Sequence, residues 1–554
     1  MPKMTGAQYI AATLEAYGIT HVFYVEAILR RTLVEMEKLG IKRILAHSEK
    51  AAAYMADGFA RAGLRPAVCM AQSVGAANLA AGLQDARLGH APILAFTGRK
   101  PPLFQYRNAY QEILHNTMFE AVTKYNAEVH TLEQVPHLLA QAFREATTGT
   151  PAPVHLDFLG YEGNFTDEAE AELNVLCEPE YTRIPARRPH PDPREIETAA
   201  QSLRKAERPV LVVGRGAVVS AAGAEVRKLA ETLSIPVAFS MDGKGLIPDD
   251  HPLSVGAVGT YCRPCANRTV AEADLVFFIG CGTGDQVTKN WTLPAAGTAV
   301  IQLDINAAEI GRNYPGTIGI LGDARIALEQ LNQAISARVN KESWSRTVQG
   351  YVREYLEKIE SLCGSAASPI RTECLCRRIS EALPDNAVVV ADTGYSAIWA
   401  GTLIDITKSE QKYLRASGSL GWAFPAALGA KCALPEQPVI CFSGDGAFWY
   451  HLCELETAVR RNIPTVTIIN NNSVLGQSQL GIRRAYRDDE GREQEQYRFQ
   501  DTDFARLAED LGALGIRVEK AEEIAPAVRR AIEENRPAVV DVATEAECHP
   551  LLTW

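Results

Sequence analysis

Apolar and polar positions alternate along the N-terminal third of the chain between a helical period and short apolar runs. Helical spacing of apolar residues predicts helices at 6–17 and from residue 49 onward. Runs of strand length stand between the helical segments, at residues 21–25, 43–47, 67–71, 93–97 and 154–157. Short apolar runs that alternate with helices are typical of a doubly wound parallel sheet. The pattern therefore predicts an α/β domain at 1–182.

The same alternation returns twice after a proline-rich stretch. Residues 183–195 contain four prolines and four arginines without an apolar period, which is typical of a linker. Strands and helices alternate again in 196–338, and a charged helical segment at 339–368 is predicted to be a connector. A third α/β pattern occupies 369–554. The fold class predicted from the sequence is therefore α/β, with three doubly wound parallel-sheet domains.

Composition narrows the class of protein. The chain of 554 residues is 47% hydrophobic and 22% charged, which is ordinary for a globular protein. Its net charge of −11 argues against nucleic acid or an anionic membrane as a partner, because basic surfaces bind both. No apolar stretch reaches the ~18 residues of a membrane span, and the N-terminus lacks the pattern of a leader peptide. A cytoplasmic protein is predicted.

One stretch of the third domain carries the clearest sign of chemistry. An apolar run at 439–442 leads into the turn Ser-Gly-Asp-Gly-Ala at 443–447, whose small residues allow backbone N–H groups to approach an anion. A helix is predicted at 448–461 and a second strand at 465–469, which leads into three asparagines at 470–472. The order strand, small-residue turn, helix, strand and polar turn predicts a phosphate-binding site.

The same stretch predicts a metal ion. The carboxyl ends of neighbouring parallel strands meet at one edge of a sheet, so Asp445 and Asn472 are expected to converge although 27 positions separate them. A carboxylate and an amide carbonyl are hard oxygen ligands that suit Mg²⁺ or Ca²⁺. Water and phosphate oxygens complete the coordination shell of such an ion. A Gly-Asp-Gly turn alone is also compatible with an ordinary connection between a strand and a helix.

The Gly-Asp-Gly turn followed by paired asparagines resembles the diphosphate and metal motif of thiamine-diphosphate enzymes. The order of the three blocks resembles the acetolactate synthase, pyruvate oxidase and benzaldehyde lyase group. This resemblance implies a pyrimidine-binding N-terminal domain, a central domain and a diphosphate-binding C-terminal domain. It also implies that Asp445, the side chain of Asn472 and the backbone carbonyl of Val474 hold Mg²⁺.

Further cofactor contacts follow from the resemblance. The segment 415–430 is similar to the family's GTMGFGLPAA stretch, which makes Leu420 the apolar wedge that bends the cofactor and the carbonyl of Gly418 an acceptor from its aminopyrimidine. Ordinary packing is the alternative role for Leu420. The turn that follows a predicted strand at residue 392 resembles the family's DVGxx turn. The other implied contacts are Gly394, Tyr395, Ser396, Gly444, Gly446, Ala447, Leu475, Gly476 and Gln477.

An acid is needed beside the pyrimidine ring of such a cofactor, because protonation of the ring favours the tautomer that removes the proton from thiazolium C2. The segment 46–63 resembles the family's HExxAxxxAxGYAR stretch and makes Glu49 the catalytic and cofactor-contacting acid. The family histidine before the glutamate is Ser48 here. A carboxylate stabilised at a helix N-terminus is the alternative interpretation of Glu49.

The residues expected near the substrate resemble the family's motifs at some positions and differ from them at others. Residues 108–112 resemble the family's DAFQE motif and place Gln111 at the reacting centre. Glu26 stands in a loop that the family varies to supply acid–base groups, although a helix-start carboxylate is the alternative. Gly481 matches the tryptophan that shapes acceptor choice in acetolactate synthases, which argues against branched-chain amino-acid synthesis.

The segment 282–288 of the central domain resembles the family's FAD-binding stretch but lacks its arginines. FAD is therefore not expected to be required, and the alternatives are bound ADP or no ligand.

These features predict a thiamine-diphosphate and Mg²⁺ enzyme that decarboxylates a 2-oxo acid and ligates the product. The alternatives are a non-decarboxylating carbon–carbon lyase acting on a 2-hydroxyacyl-CoA or a cyclic diketone, and a catalytically silent homologue that binds the cofactor. The expected partners are small 2-oxo acids, aldehydes or acyl-CoA compounds, without nucleic acid or membrane. The resemblance implies a homodimer or homotetramer, because Glu49 of one subunit faces the Gly-Asp-Gly turn of another.

Overall fold

The computed structural model of the protein describes residues 2–26, 28–160, 163–335, 341–487 and 489–551. These residues contain three six-stranded parallel sheets, one in each predicted block, and the predicted fold class is confirmed. The predicted domain ends at residues 1, 338 and 554, and the start of the connector at 339, lie outside the described residues. The domain boundaries stay predictions. None of the described helices is long and apolar enough to span a bilayer.

The N-terminal domain alternates strands and helices. Its elements are β1 (Lys3–Thr5), α1 (Gly6–Ala16), β2 (His21–Tyr24), α2 (Arg30–Lys38), β3 (Lys42–Leu45), α3 (Glu49–Gly63), β4 (Ala67–Gln72), α4 (Gly75–Leu88), β5 (Ile93–Arg99), α5 (His115–Glu120), β6 (Tyr125–Val129), α6 (Val135–Thr147), β7 (Val154–Leu159), α7 (Asn164–Glu168) and β8 (Glu170–Glu172). Six strands form a parallel sheet in the order β3-β2-β4-β5-β7-β6, and β1 pairs with β8 beside it. The central strands are buried along almost their whole length, as expected where helices cover both faces.

The central domain follows the linker. Its elements are α8 (Pro193–Lys205), β9 (Pro209–Val213), α9 (Arg215–Val219), α10 (Gly223–Leu233), β10 (Val237–Phe239), β11 (Ser254–Ala257), α11 (Pro264–Glu272), β12 (Leu275–Ile279), α12 (Asp285–Thr288), β13 (Ala299–Asp304), β14 (Ile318–Leu321) and α13 (Ala324–Ala334). The strand order is β11-β10-β9-β12-β13-β14, which is the doubly wound order of dinucleotide-binding folds. The chain reverses direction across the sheet between β9 and β12.

A long helix, α14 (Glu342–Cys363), lies in the predicted connector before the C-terminal domain. The elements of the C-terminal domain are α15 (Thr372–Ala382), β15 (Val388–Ala391), α16 (Tyr395–Leu403), β16 (Lys412–Arg415), α17 (Ala423–Ala433), β17 (Val439–Gly444), α18 (Asp445–Phe448), α19 (Glu454–Arg461), β18 (Val466–Asn471), α20 (Gly476–Tyr486), α21 (Phe504–Asp510), β19 (Leu514–Val518), α22 (Ile524–Glu533) and β20 (Ala538–Ala543). The strand order is β16-β15-β17-β18-β20-β19. The N-terminal and C-terminal sheets therefore share one topology, a similarity that is not visible as a sequence repeat.

The helix predicted at 448–461 is divided in the structure. Helix α18 ends at Phe448, a turn follows, and α19 begins at Glu454. The carboxylate of Glu454 is fully buried and accepts a hydrogen bond from the backbone N–H of His47 at 3.0 Å. Because this contact ties α19 to the N-terminal domain, tertiary structure overrides the local helical pattern.

Helices α3 and α17 join the N-terminal and C-terminal domains. Gly58 of α3 lies against the backbone of Ala426, and Gly429 of α17 lies against the backbone of Met55. A Cβ atom at either glycine would lie within 3.0 Å of a carbonyl oxygen, closer than real Cβ atoms approach. Glycine at these two positions allows the helix backbones to meet.

The Gly58→Ala variant is expected to destabilise the protein by roughly 1–3 kcal/mol, because the added methyl group forces the two helices apart. The measurement is the shift in the midpoint of thermal unfolding. Gly350→Ala is the control, because no atom lies within 4 Å of a Cβ at this helical position. That variant should gain about 0.5–1 kcal/mol from helix propensity. Equal midpoints for the two variants would contradict the close packing of α3 on α17.

Candidate active site

Asp445 and Asn472 meet at the carboxyl ends of two adjacent strands. Strands β17 and β18 pair in parallel, with Gly444 opposite Asn470. The carboxyl group of Asp445 accepts backbone hydrogen bonds from Gly446 and from Asn472. The structure thus brings the two predicted metal ligands together across 27 positions of sequence.

The electrostatics at Asp445 favour a cation. Asp445 is 3% exposed, and burial raises the pKa of its carboxyl to about 7 despite the hydrogen bonds from backbone amides, which lower it. The carboxylate of Asp541 raises this pKa further. A bound cation would offset the cost of keeping Asp445 ionised.

The loop after β18 carries the other two predicted ligands. The side-chain oxygen of Asn472 accepts a hydrogen bond from the N–H of Val474 at 3.2 Å, and Ser473 between them has a φ of 58°. Among the described residues, no group of three or more His, Cys, Asp or Glu side chains is placed to hold a metal ion. One carboxylate and one amide oxygen fit a Mg²⁺ ion whose shell is completed by phosphate and water oxygens.

The first two asparagines of the predicted run belong to the strand. The side chain of Asn471 donates to Asp541 at 2.9 Å, and the side-chain oxygen of Asn470 accepts from Thr544 at 2.6 Å. These contacts extend β18 beyond the predicted end at residue 469. Because both side chains are occupied by buried partners, only Asn472 reaches the turn.

Glycines line the space between the predicted diphosphate contacts. A Cβ on each of four glycines would lie close to a side chain of another predicted contact. The distances are 3.3 Å from Gly394 to Gln477, 3.4 Å from Gly444 to Ser396, 2.7 Å from Gly446 to Leu475 and 3.0 Å from Gly476 to Tyr395. The backbone oxygen of Ala447 lies 3.1 Å from the corresponding position of Gly421. Backbone N–H groups in such a cradle are accessible to an anion, which fits a diphosphate.

Asp392 fixes the loop that carries Gly418 and Leu420. Asp392 is fully buried after β15, and its carboxyl group accepts from the N–H of Thr393, Gly421 and Ala423 at 2.9, 3.0 and 2.9 Å. Gly418 is exposed and Leu420 is half-buried in this loop. The sequence predicted a cofactor turn at residue 392 but not that Asp392 holds the loop of Gly418 and Leu420. The sequence signal for this role is an aspartate directly after a buried strand.

The N-terminal domain holds the same loop from the other side. Asp85 of α4 accepts hydrogen bonds from the backbone N–H of Ser417 and of Ser419, both at 2.9 Å. Asp85 also pairs with Arg61 at 2.9 Å, and both side chains are buried. Asp85 carries no local signal of this role in the sequence, because the two serines that it binds lie more than 300 positions away.

Burial raises the pKa of Asp392 to about 6. Because the folded protein binds this proton more tightly than the unfolded chain, the protonated carboxyl stabilises the fold at low pH. That stabilisation is lost as pH rises from the unfolded pKa of 3.8 through the folded pKa of about 6. Between pH 5 and pH 7, wild type should lose about 1 kcal/mol of unfolding free energy relative to Asp392→Asn. Unfolding of both proteins by urea at the two pH values measures the difference. A difference that does not change with pH would refute the raised pKa.

Glu49 contacts the first turn of α4, and Gln111 contacts the last residue of β4. A carboxylate oxygen of Glu49 accepts from the side chain of Asn78 at 3.1 Å, and the other would lie 2.5 Å from a Cβ on Gly75. The side-chain oxygen of Gln111 accepts from Gln72 at 3.3 Å, and Gln111 has a φ of 61°. The structure thus places Glu49 and Gln111 at the two ends of the short β4–α4 connection.

Glu26 lies on the surface at the β2–α2 connection. Its carboxylate pairs with the guanidinium of Arg30 one helical turn later, and both side chains are exposed. The structure gives no contact between Glu26 and Glu49 or Gln111 among the described residues. Its predicted acid–base role therefore stays a prediction.

The central domain carries part of a dinucleotide-binding pattern. At the point where the strand order reverses, the N–H groups of Gly214 and Gly216 donate to Ile279 and Gly280 at 3.1 and 2.8 Å. Val219 stands where the third glycine of a dinucleotide-binding turn would be. The expectation that FAD is not required stays a prediction.

Comparison with known proteins follows the three domains. The family profiles for the thiamine pyrophosphate enzyme match residues 4–118 with the N-terminal TPP binding domain, 196–331 with the central domain and 392–542 with the C-terminal TPP binding domain. The chain is 33% identical to the probable acetolactate synthase large subunit of Methanocaldococcus jannaschii, over 99% of this chain and 93% of that protein. It is 32% identical to the acetolactate synthase large subunit of Corynebacterium glutamicum, over 100% and 89%. It is 29% identical to the acetolactate synthase isozyme 2 large subunit of Escherichia coli, over 98% of this chain and 96% of that protein. The chain therefore belongs to the thiamine pyrophosphate enzyme family, as a thiamine-diphosphate-dependent enzyme of the acetolactate synthase group.

Proposed function

We propose that the protein decarboxylates a 2-oxo acid and joins the resulting acyl unit to a second carbonyl compound. The relatives described above are named acetolactate synthases, which supports carboligation over the lyase alternative. The observation that carries the proposal is the meeting of Asp445 with Asn472 beside a cradle of glycines. This arrangement fits a diphosphate held through Mg²⁺.

The residues of the C-terminal domain would hold the cofactor. Asp445, the side chain of Asn472 and the backbone carbonyl of Val474 would bind Mg²⁺, and the glycine cradle would bind the diphosphate oxygens. Leu420 and Gly418, in the loop fixed by Asp392 and Asp85, would contact its rings. Thiamine diphosphate, when bound, supplies the electron sink for the negative charge left on the carbonyl carbon.

The residues of the N-terminal domain move protons. Glu49 holds a proton at the pyrimidine nitrogen, and the hydrogen bond from Asn78 orients its carboxylate. Gln111 donates from its side-chain amide to the reacting oxygen. Gln72 fixes the Gln111 amide by donating to its oxygen.

Two copies of the chain form the complete site. Glu49 contacts Asn78 and Gly75 of its own domain, whereas Asp445 lies in the C-terminal domain. The segment before and after Gln111 exposes large apolar side chains, namely Leu103, Phe104, Tyr106, Tyr110 and Leu114, which are 52–88% exposed. Apolar surface of this extent beside a site indicates an interface. A homodimer covers it and places Glu49 of one subunit at the Gly-Asp-Gly turn of the other.

The test is the release of carbon dioxide from pyruvate by the purified protein with thiamine diphosphate and Mg²⁺, with products identified by mass spectrometry. Carbon dioxide together with a ligated product such as acetolactate supports the proposal. An aldehyde product without carbon dioxide, from a 2-hydroxyacyl-CoA, would favour the lyase alternative. No turnover of any 2-oxo acid in a panel, with the cofactor shown to be bound, would overturn the proposal.

A further inference from the structure

Helix α20 carries three positions of one face that borders the proposed site. Gln477, Gly481 and Arg484 are spaced by four and three residues, which places them on the same side of the helix. The helix begins at Gly476, directly after the loop of Asn472 and Val474. No atom lies within 4 Å of a Cβ on Gly481. The face is therefore open at its centre and polar at both ends.

The central domain adds a tyrosine to this face. The side-chain N–H of Gln477 donates to the hydroxyl oxygen of Tyr261 at 3.0 Å. Because this oxygen accepts, its own hydrogen remains available for another acceptor. The oxygen of the Gln477 amide lies 3.3 Å from a Cβ on Gly394, in the diphosphate cradle. Gln477 thus connects the cradle to Tyr261.

The loop that carries Tyr261 is fixed by hydrogen bonds. The N–H of Gly259 donates to the side-chain oxygen of Asn267 at 2.7 Å, and the side-chain nitrogen of Asn267 returns a bond to the carbonyl of Gly259 at 2.9 Å. The N–H of Thr260 donates to the carbonyl of Gln286 at 2.7 Å. A hydroxyl on so constrained a loop is preorganised as a donor.

The cation of the face is Arg484. Its neighbour Arg483 is paired with Glu547 at 2.8 Å, whereas no carboxylate partner of Arg484 is found within the described parts of the chain. Tyr395 packs against Gly476 at the start of the helix, and its hydroxyl lies 3.5 Å from Nδ1 of His549. Because Arg484 stands seven residues after Gln477, two turns along the same side of α20, its side chain shares a face with the Gln477–Tyr261 pair.

We propose that Tyr261, Gln477 and Arg484 bind a second anionic group on the substrate, so that the enzyme prefers a dianionic 2-oxo acid to an alkyl one. This inference rests on the proposed function. An alkyl substituent would leave the donors of the face unpaired, whereas a carboxylate accepts from them. Gly481, which stands where the acetolactate synthases have a tryptophan, provides the room for the longer substrate.

The test compares 2-oxoglutarate with 5-methyl-2-oxohexanoate, in which an isopropyl group replaces the terminal carboxylate. The ratio of their kcat/KM values is measured for wild type, Arg484→Gln and Tyr261→Phe. Each variant should lower the preference for 2-oxoglutarate by roughly 10- to 100-fold, the worth of a hydrogen bond to a charged group. Arg506→Gln, which changes an exposed arginine of α21, is the matched control and should keep the wild-type ratio. Equal ratios for wild type and Arg484→Gln would overturn the proposal.

A binding measurement separates this proposal from the proposed function. Calorimetry with the enzyme loaded with thiamine diphosphate and Mg²⁺ compares glutarate with 5-methylhexanoate, neither of which can be decarboxylated as a 2-oxo acid. Tighter binding of glutarate, weakened at least about tenfold in Arg484→Gln, would support the anionic site even if no 2-oxo acid reacts. Equal binding of the two compounds, or equal glutarate binding by both proteins, would overturn it.

Discussion

The Asp445→Asn variant should lose Mg²⁺-dependent retention of thiamine diphosphate and should lower activity by roughly a thousandfold or more, since metal-ion stabilisation is worth several kcal/mol. The variant removes the one carboxylate of the predicted ligand set. The measurement is the cofactor that remains bound after gel filtration with and without Mg²⁺. Retention equal to that of wild type would remove Asp445 from the metal site.

A melting temperature distinguishes loss of the cofactor through a missing metal ligand from loss through unfolding of the variant. Burial raises the pKa of Asp445, so its ionised form costs stability in the protein without metal. The melting temperature of Asp445→Asn without cofactor should therefore be at least that of wild type. Asp510→Ala, which changes an exposed aspartate of the same domain, should retain the cofactor normally.

The Glu49→Gln variant should retain the cofactor but lower turnover by roughly 10²- to 10⁴-fold, the usual contribution of general acid–base catalysis. The glutamine keeps the shape of the side chain but cannot hold the proton at the pyrimidine nitrogen. The direct measurement is the rate of deuterium exchange at C2 of the bound cofactor. Glu120→Gln, at an exposed position, is the control. Unchanged exchange in Glu49→Gln would show that Glu49 is not the catalytic acid.

Mixing the two inactive variants tests how the site is assembled. In a hybrid dimer of Glu49→Gln with Asp445→Asn, one site receives both substitutions and the other receives neither. Random exchange of subunits should therefore restore about a quarter of wild-type activity, because half of the dimers are hybrids with one intact site. No recovery, with subunit exchange demonstrated, would mean that Glu49 and Asp445 of one chain act together.

The sequence predicted the features that depend on local pattern. Three alternating blocks gave the three parallel sheets, and the turn at Asp445 with Asn472 was expected to converge because parallel strands end at one edge. The division of the helix at 448–461 was not predictable, since the burial of Glu454 against the N-terminal domain decides it. Asp85 and Tyr261 were missed for the same reason: each acts on a residue of another domain.

The two serine amides bound by Asp85 determine when the cofactor site can form during synthesis. Ser417 and Ser419 follow Asp85 by 332 and 334 positions, so the ribosome completes two domains before this loop emerges. The N-terminal domain can then fold early, as domains do during translation. Asp85 and Arg61 form their hydrogen bonds to the last domain only after that domain has been synthesised. Cofactor capture is thus a late event, which reports that the first and last domains have docked correctly.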